Sequence, residues 1–180
     1  MDAIVEAALK KWPNVPHCYG WLALDARGDW YMRDERIQRA GPFPRVKGSR
    51  IDHDKLLAFI ARNYDVDERG AWFFQNGPQR VYVELECAPW VWRLQPDGRV
   101  LSHTAREARV ESAWLDEVGH LYLDTDLGFG LVHTQDMALA AEAIEARRWT
   151  PQDCIAAKLP ATHRYQRKPG PETPRSVPQR

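Results

Sequence analysis

Apolar residues recur every three or four positions in three stretches of the chain, which is the spacing that an amphipathic helix requires. The first stretch, residues 4–9, ends before Pro13, because proline disfavours helical geometry in the residue that precedes it. The second stretch predicts a helix at about residues 51–63. The third predicts a helix from Thr134, a favourable cap residue, to about Arg147. The helical pattern is therefore confined to short segments.

Between these segments apolar and polar residues alternate, as they do in strands that bury one face. Residues 21–32 predict a hairpin around Gly28, which suits a turn position that needs positive φ. Residues 71–102 predict an antiparallel meander, and the regular alternation at 81–86 predicts that one face of its sheet is buried. Residues 113–133 predict a further hairpin. Most of the chain is therefore expected to be β-structure.

Three segments share one turn pattern, in which an Asp is followed by a Gly three residues later and by an apolar or aromatic triplet. They are residues 25–32, 67–74 and 116–123, and each predicts the corner of a hairpin. Their irregular spacing argues against a solenoid. Two interpretations stay open: convergence on favourable turn chemistry, or duplication of a hairpin-plus-helix unit. The second predicts two similar lobes with a cleft between them.

Together these patterns predict an α+β fold, in which antiparallel β-hairpins and a meander pack with helices. We predict an N-terminal helix–hairpin–helix lobe over residues 1–66 and a β-rich lobe with C-terminal helices over residues 67–160. Residues 161–180 contain four prolines, almost no apolar residue, and five basic residues against one acidic. Such a composition cannot offset the entropy of ordering, so we predict a flexible basic tail.

Charge and cysteine content restrict the partners and the compartment. The 25 basic and 25 acidic residues cancel, so no overall field favours nucleic acid or a membrane surface. The three cysteines, Cys18, Cys87 and Cys154, form no CxxC pair, which favours a reducing compartment and argues against structural zinc. No stretch of about 18 apolar residues occurs. We predict a cytoplasmic protein without a membrane partner, a metal or a cofactor.

Several short sequences resemble those of a known group. They are Pro16-His-Cys-Tyr-Gly20, Gly28-Asp-Trp-Tyr31, Ile37-Gln-Arg39, the helix at 55–60 and Glu86-Cys-Ala-Pro-Trp90. Over about residues 16–94 the chain resembles an uncharacterised proteobacterial family of small two-lobed α+β proteins, a domain of unknown function. In that family the Ile-x-Arg element runs almost directly into a helix, whereas residues 40–49 intervene here. The resemblance implies a ligand site between two lobes and a signalling or regulatory role.

Tryptophan is the most unusual feature of the composition. Three of the eight tryptophans, Trp72, Trp90 and Trp92, lie on adjacent predicted strands, and the last two share a face. They could fill a core of sheet and helix, because aromatic side chains bury large areas. They could instead line a ligand pocket. The polar side chains at the rim of such a pocket would be Gln75, Asn76 and Arg80.

No catalytic motif occurs at diagnostic spacing. Asp124 and Asp126 could bind a hard cation, but the further ligands of a calcium-binding loop are missing, which favours an ordinary turn. With His133, the same carboxylates could act as acid, base or metal ligand. This set is the basis of an alternative prediction, an enzyme of unfamiliar type.

The leading functional prediction is a non-catalytic binding or regulatory protein. It would recognise a small molecule or a protein partner through an aromatic-lined cleft between two β-rich lobes. A single-strand nucleic-acid platform would need more interleaved Lys and Arg, which argues against that partner. A further interpretation is a homodimer whose exposed tryptophans form the subunit interface.

Overall fold

The computed structural model describes residues 1–171, which form two mixed sheets with five short helices, and residues 172–180 of the predicted tail lie outside this range. The helices are α1 (Ala3–Lys11), α2 (Glu35–Ala40), α3 (Asp54–Arg62), α4 (Met137–Glu145) and α5 (Leu159–Thr162). The predicted α+β fold in two lobes is confirmed. Among the described residues, no helix has the length and hydropathy needed to cross a membrane.

The strands of the first sheet are β1 (Cys18–Leu24), β2 (Trp30–Met32), β3 (Ser49–Arg50), β4 (Tyr64–Val66), β5 (Trp72–Asn76) and β6 (Gln79–Leu85). Those of the second are β7 (Trp90–Leu94), β8 (Val100–Ser102), β9 (Glu107–Ala108), β10 (Val110–Leu115), β11 (Leu121–Thr125), β12 (Gly128–Val132) and β13 (Gln152–Asp153). The first sheet has the order β3-β2-β1-β6-β5-β4, and the second has the order β13-β10-β11-β12-β7-β8-β9.

Both sheets repeat one arrangement of two three-stranded antiparallel meanders. In the first sheet the meanders are β1–β2–β3 and β4–β5–β6, and β1 pairs in parallel with β6. In the second they are β7–β8–β9 and β10–β11–β12, and β7 pairs in parallel with β12. In each sheet the first strand of one meander thus joins the last strand of the next. The two sheets therefore have the same six-strand topology, to which β13 adds an edge strand in the second.

The Asp–Gly turn pattern marks the first turn of three of these four meanders. At each turn one carboxylate oxygen accepts the backbone N–H groups two and four residues later, and the other accepts a tyrosine hydroxyl. The pairs are Asp25–Tyr31, Asp67–Tyr82 and Asp116–Tyr122. In the remaining meander, β7–β8–β9, Gln95 occupies the Asp position. The backbone N–H of Gly98 donates to the carbonyl of Gln95, as that of Gly28 donates to the carbonyl of Asp25. The repeated unit is a meander without a helix. Helix α3 follows β3, the last strand of the first meander in its sheet, whereas α4 follows β12, the last strand of the second meander in its sheet.

The predicted meander over residues 71–102 is wrong in one respect: it is divided between the two sheets. Strand β6 belongs to the first sheet and ends at Leu85. Strand β7 belongs to the second sheet and begins at Trp90. Pro89 lies between them and has no N–H to donate to a ladder. The predicted domain boundary at residues 66 and 67 lies within the first sheet, after β4, whereas the chain passes between sheets at residues 86–89.

The main core lies between the two sheets, where side chains from both form one continuous cluster. Its centre is aromatic: the Trp90 ring lies 5.4 Å from that of Trp72 and 5.8 Å from that of Trp92. The opposite face of the first sheet carries a second cluster, formed by Ala71, Phe73 and Tyr82. The alternation at 81–86 predicted only one buried face, but Tyr82 and Glu84 are also buried: Tyr82 stacks on Tyr19, and Glu84 pairs with the buried Arg33.

Residues 163–171, here called the C-terminal strap, do not lie apart from the fold as the predicted flexible tail would. The strap crosses from the second sheet to the first: the backbone N–H of Leu85 donates to Arg167, and that of Gln166 donates to Gly70. Tyr165 is buried and its hydroxyl donates to the carbonyl of Cys87. The prediction from composition was wrong for these residues, because one buried tyrosine and backbone hydrogen bonds to residues of the first sheet order the segment.

Candidate ligand-binding site

The structure places the predicted tryptophan cluster in the core, so its members do not wall an open cleft. Trp72, Trp90 and Trp92 are 8%, 2% and 0% exposed. Gln75 is also buried, and its amide donates to the carbonyl of Gly77. The cause is the close packing of the two sheets, which encloses the faces that these strands share. The three tryptophans also cannot supply the predicted dimer interface, since they are buried within one chain.

The other two residues of the predicted ligand site, Asn76 and Arg80, do not lie with the tryptophan cluster. Asn76 is exposed at the end of β5. Arg80 lies on β6 with its guanidinium 4.3 Å above the ring of Phe73, on the face of the first sheet opposite the main core. Arg80 is therefore the one member of the predicted set that lines the cavity described below.

The acidic turn and His133 do not converge on one site. Asp124 accepts hydrogen bonds from Ser112 and Trp114 and lies 3.2 Å from the ring nitrogen Nδ1 of His163. Asp126 accepts the backbone N–H of Arg109. His133 follows the far end of β12, about 13 Å along the strand from the residue opposite Asp124. Each side chain thus has a local structural partner.

A cavity of about 750 Å³ opens on the outer face of the first sheet. Its wall combines cationic, aromatic and acidic side chains, which come from the start of β1, from the β4–β5 turn and from β6. They include His17, Tyr19, Asp67, Arg69, Arg80 and Tyr82. Because successive side chains of a strand alternate, Arg80 and Tyr82 point to the same face. The parallel pairing of β1 with β6 brings Tyr19 beside them.

Two carboxylates belong to this wall: Glu68 is exposed, whereas that of Asp67 is occupied by its neighbours. Asp67 accepts the backbone N–H groups of Arg69 and Ala71, the Tyr82 hydroxyl and the Arg69 guanidinium. Although burial opposes ionisation, these hydrogen bonds lower the pKa of Asp67. Gln166 of the strap donates its amide to the carbonyl of Arg69. Arg69 is therefore held at its guanidinium by Asp67 and at its backbone carbonyl by Gln166.

Arg80 differs from Arg69 in that no carboxylate of the described residues forms an ion pair with it. Within residues 1–171 its guanidinium makes no ion pair or side-chain hydrogen bond, and its contact is the face of Phe73. Partial burial and then the positive charges of Arg80 and Arg69 lower the pKa of His17. Arg69, Arg80 and His17 thus place three basic side chains on the wall of this cavity.

Sequence reasoning found Arg80 but missed Tyr19, Arg69 and Tyr82. The alternation along β6 was visible, and it grouped Tyr82 with a polar face. The partner strand was not visible, because β1 ends at Leu24, β6 begins only at Gln79, and the two strands pair in parallel. Without that pairing, nothing in the sequence places Tyr19 beside Tyr82.

A second cavity, of about 550 Å³, lies where the two sheets meet, and His103 is part of its wall. Its ring nitrogen Nδ1 accepts the backbone N–H of Val91, so the proton of the neutral ring sits on Nε2. Nε2 is buried without a hydrogen-bond partner among the described residues. The ring packs within 6 Å of the rings of Trp30, Tyr64 and Trp90. Burial in this aromatic site lowers the pKa of His103 to about 3.

Lowering the pH from 7 to 5 is expected to reduce the free energy of unfolding by about 2 kcal/mol through His103. Below pH of about 6.5 the unfolded chain binds a proton that the folded chain excludes, so stability falls as the pH falls. Urea denaturation at both pH values measures this change in wild type and in His103→Gln. The variant should show the smaller pH dependence, and equal pH dependence in the two proteins would contradict the assignment.

The fold and cavity define a two-lobed α+β protein with an open, cationic and aromatic cavity on one sheet. Comparison with known families is more specific: residues 1–175 match the model DUF2944, described as "Protein of unknown function (DUF2946)", and the chain belongs to that family. The predicted membership of an uncharacterised family is confirmed, and the match extends well beyond residues 16–94. No curated protein matches the chain.

Two solved structures are similar to this chain. A DUF1285 family protein from Silicibacter pomeroyi DSS-3 aligns with a TM-score of 0.50 and 12% identity, covering 79% of this chain and 84% of that one. A DUF1285 family protein from Shewanella baltica OS155 aligns with a TM-score of 0.45 and 17% identity, covering 68% of this chain and 91% of that one. At this identity, the first similarity shows the fold alone.

Proposed function

We propose that the protein binds a small anionic molecule, without changing it chemically, in the cavity lined by His17, Tyr19, Arg69, Arg80 and Tyr82. The observation that carries this proposal is Arg80, a cation on the wall of a large cavity with no acidic partner within the described residues. A guanidinium presents a planar fork of donors that fits phosphate or carboxylate. An anion at this position would complete its hydrogen bonding.

The immediate surroundings of Arg80 leave room for an anion. Of the two acidic residues that line the cavity, Asp67 has its oxygens occupied by hydrogen bonds, and Glu68 is exposed and makes no ion pair with Arg80 among the described residues. Burial lowers the pKa of His17, and the positive charges of Arg80 and Arg69 lower it further, against the opposite effect of Asp67.

Loss of the Arg80 charge is expected to weaken binding of inorganic phosphate by about 10- to 100-fold, since a hydrogen bond to a charged group contributes about 1.5–3 kcal/mol. Isothermal titration at low ionic strength measures the affinity of wild type and of Arg80→Gln. Arg36→Gln is the matched control, because Arg36 is exposed on α2 and does not line this cavity. Equal affinity in Arg80→Gln and wild type, or no phosphate binding to wild type, would contradict the proposal.

The imidazole of His17 provides a second readout of the same event. A bound anion stabilises the charged ring, so phosphate should raise the pKa of His17 in an NMR titration. The Arg80→Gln substitution should raise the pKa of His17 without ligand, because it removes a nearby positive charge. If phosphate binds but the pKa of His17 does not move, the anion lies elsewhere.

A further inference from the structure

We infer that the ligand of this cavity is a small aromatic acid, whose ring stacks on Tyr19 while its phosphate or carboxylate group binds Arg80. This inference rests on the proposed anion binding and adds the chemical class of the ligand. The juxtaposition that carries it is a partly exposed tyrosine ring beside a guanidinium without an acidic partner among the described residues.

The ring of Tyr19 is the outer member of a layered aromatic cluster. It stacks on Tyr82 with ring centroids 4.7 Å apart and an interplanar angle of 2°. Tyr82 is buried and meets Phe73 edge-on at 5.8 Å. The cluster thus holds Tyr19 in a fixed orientation from one side.

Tyr19 is half-buried and its side chain lines the cavity. Among the described residues Tyr82 provides its one ring contact. A tyrosine that is stacked on one face and partly exposed to a cavity suits an incoming planar ring. The position of a stacked ring would extend the Phe73, Tyr82 and Tyr19 series by one layer.

The charges flank this aromatic surface. The Arg69 guanidinium carbon lies 5.8 Å from the centroid of the Tyr82 ring. Arg80 and Tyr82 are two residues apart on β6 and share one face of the sheet. His17 meets the ring of Tyr82 edge-on at 5.8 Å. An anionic group attached to a stacked ring would therefore lie among Arg69, Arg80 and His17.

The test compares phenyl phosphate, cyclohexyl phosphate and inorganic phosphate by isothermal titration on the full chain. Stacking of one ring contributes up to about a tenfold gain in affinity, so phenyl phosphate should bind about tenfold more tightly than inorganic phosphate. Cyclohexyl phosphate, which has similar size without a planar ring, should gain less. Equal affinity for phenyl phosphate and inorganic phosphate would overturn this inference while leaving anion binding intact.

Two substitutions locate the ring. Tyr19→Leu should bring the ratio of phenyl phosphate affinity to cyclohexyl phosphate affinity to about one, and this ratio cancels any effect of the substitution on the phosphate group that both compounds share. Tyr19→Phe keeps the ring and should keep the preference. A full preference that persists in Tyr19→Leu would overturn the assignment of the stacking surface, and failure of every phosphate to bind wild type would remove the proposed function itself.

Discussion

Replacing Arg33 by Met is expected to lower the free energy of unfolding by about 3–5 kcal/mol, because it leaves a buried carboxylate without its counterion. The side chain of Arg33 is 3% exposed, and its Nη1 lies 2.9 Å from a carboxylate oxygen of Glu84, whose side chain is 10% exposed. The other guanidinium nitrogens donate to the carbonyls of Gly41 and Val46. The loss is large because these groups are out of reach of water.

A double-mutant cycle separates the ion pair from the packing around it. Arg33→Met and Glu84→Met should each be strongly destabilising, and the double variant should be far less destabilised than the sum, since apolar side chains can replace a buried ion pair. Urea denaturation measures all four proteins. Arg39→Met is the control, because its pair with Glu35 is 4.0 Å long and both side chains are more than 70% exposed. Additive losses in the cycle would show that the two side chains act independently.

This ion pair also supports the candidate site through one strand. Arg80, Tyr82 and Glu84 alternate along β6 and so share the outer face of the first sheet. At one end of that face Arg80 has no acidic partner within residues 1–171 and lines the cavity; at the other Glu84 is neutralised by Arg33. Among the described residues, the same face thus contains one charge with a counterion, that of Glu84, and one without, that of Arg80. That contrast is the reason for proposing an anion site at Arg80 and not at Glu84.

Local turn chemistry was predictable from the sequence because it depends on neighbouring residues. The Asp and Gly of each predicted corner lie three residues apart, and all three corners are turns. Gly28, for example, adopts a φ of +85°, which an L side chain rarely adopts. The equivalent turn that starts at Gln95 lies within the predicted meander over residues 71–102, but its equivalence to the other three was missed because Gln95 replaces Asp. The sequence therefore predicted the turns, but not the four meanders to which they belong.

Pairing between distant strands was not predictable, and the candidate site depends on it. The parallel pairs β1–β6 and β7–β12 join segments whose individual patterns carry no information about each other. For the same reason the sequence left two interpretations of the tryptophan cluster open, a buried core and the wall of a ligand pocket. A strand rich in aromatic residues looks the same whether a second sheet or a ligand covers it. Only the packing of the two sheets distinguishes these cases.

Truncation of Trp92 is expected to have the second large effect, a loss of about 3–5 kcal/mol in the free energy of unfolding. Trp92 is fully buried in the centre of β7, stacks on Trp90, and donates its indole N–H to the carbonyl of Leu123 on β11. Removing the indole leaves a cavity between the sheets and removes one hydrogen bond to the carbonyl of Leu123. Because both lobes contribute to this core, the loss should destabilise the whole molecule.

Urea denaturation of Trp92→Ala measures this loss, with Trp12→Ala as the control, since Trp12 is 50% exposed on the end of α1. If the alanine variant does not fold, Trp92→Phe retains an aromatic ring and should show a smaller loss that can still be measured. The phosphate affinity of the folded variant should equal that of wild type, because the cavity that contains Arg80 lies on the opposite face of the first sheet. A Trp92 variant with unchanged stability and weakened phosphate binding would show that the tryptophans line a binding site after all.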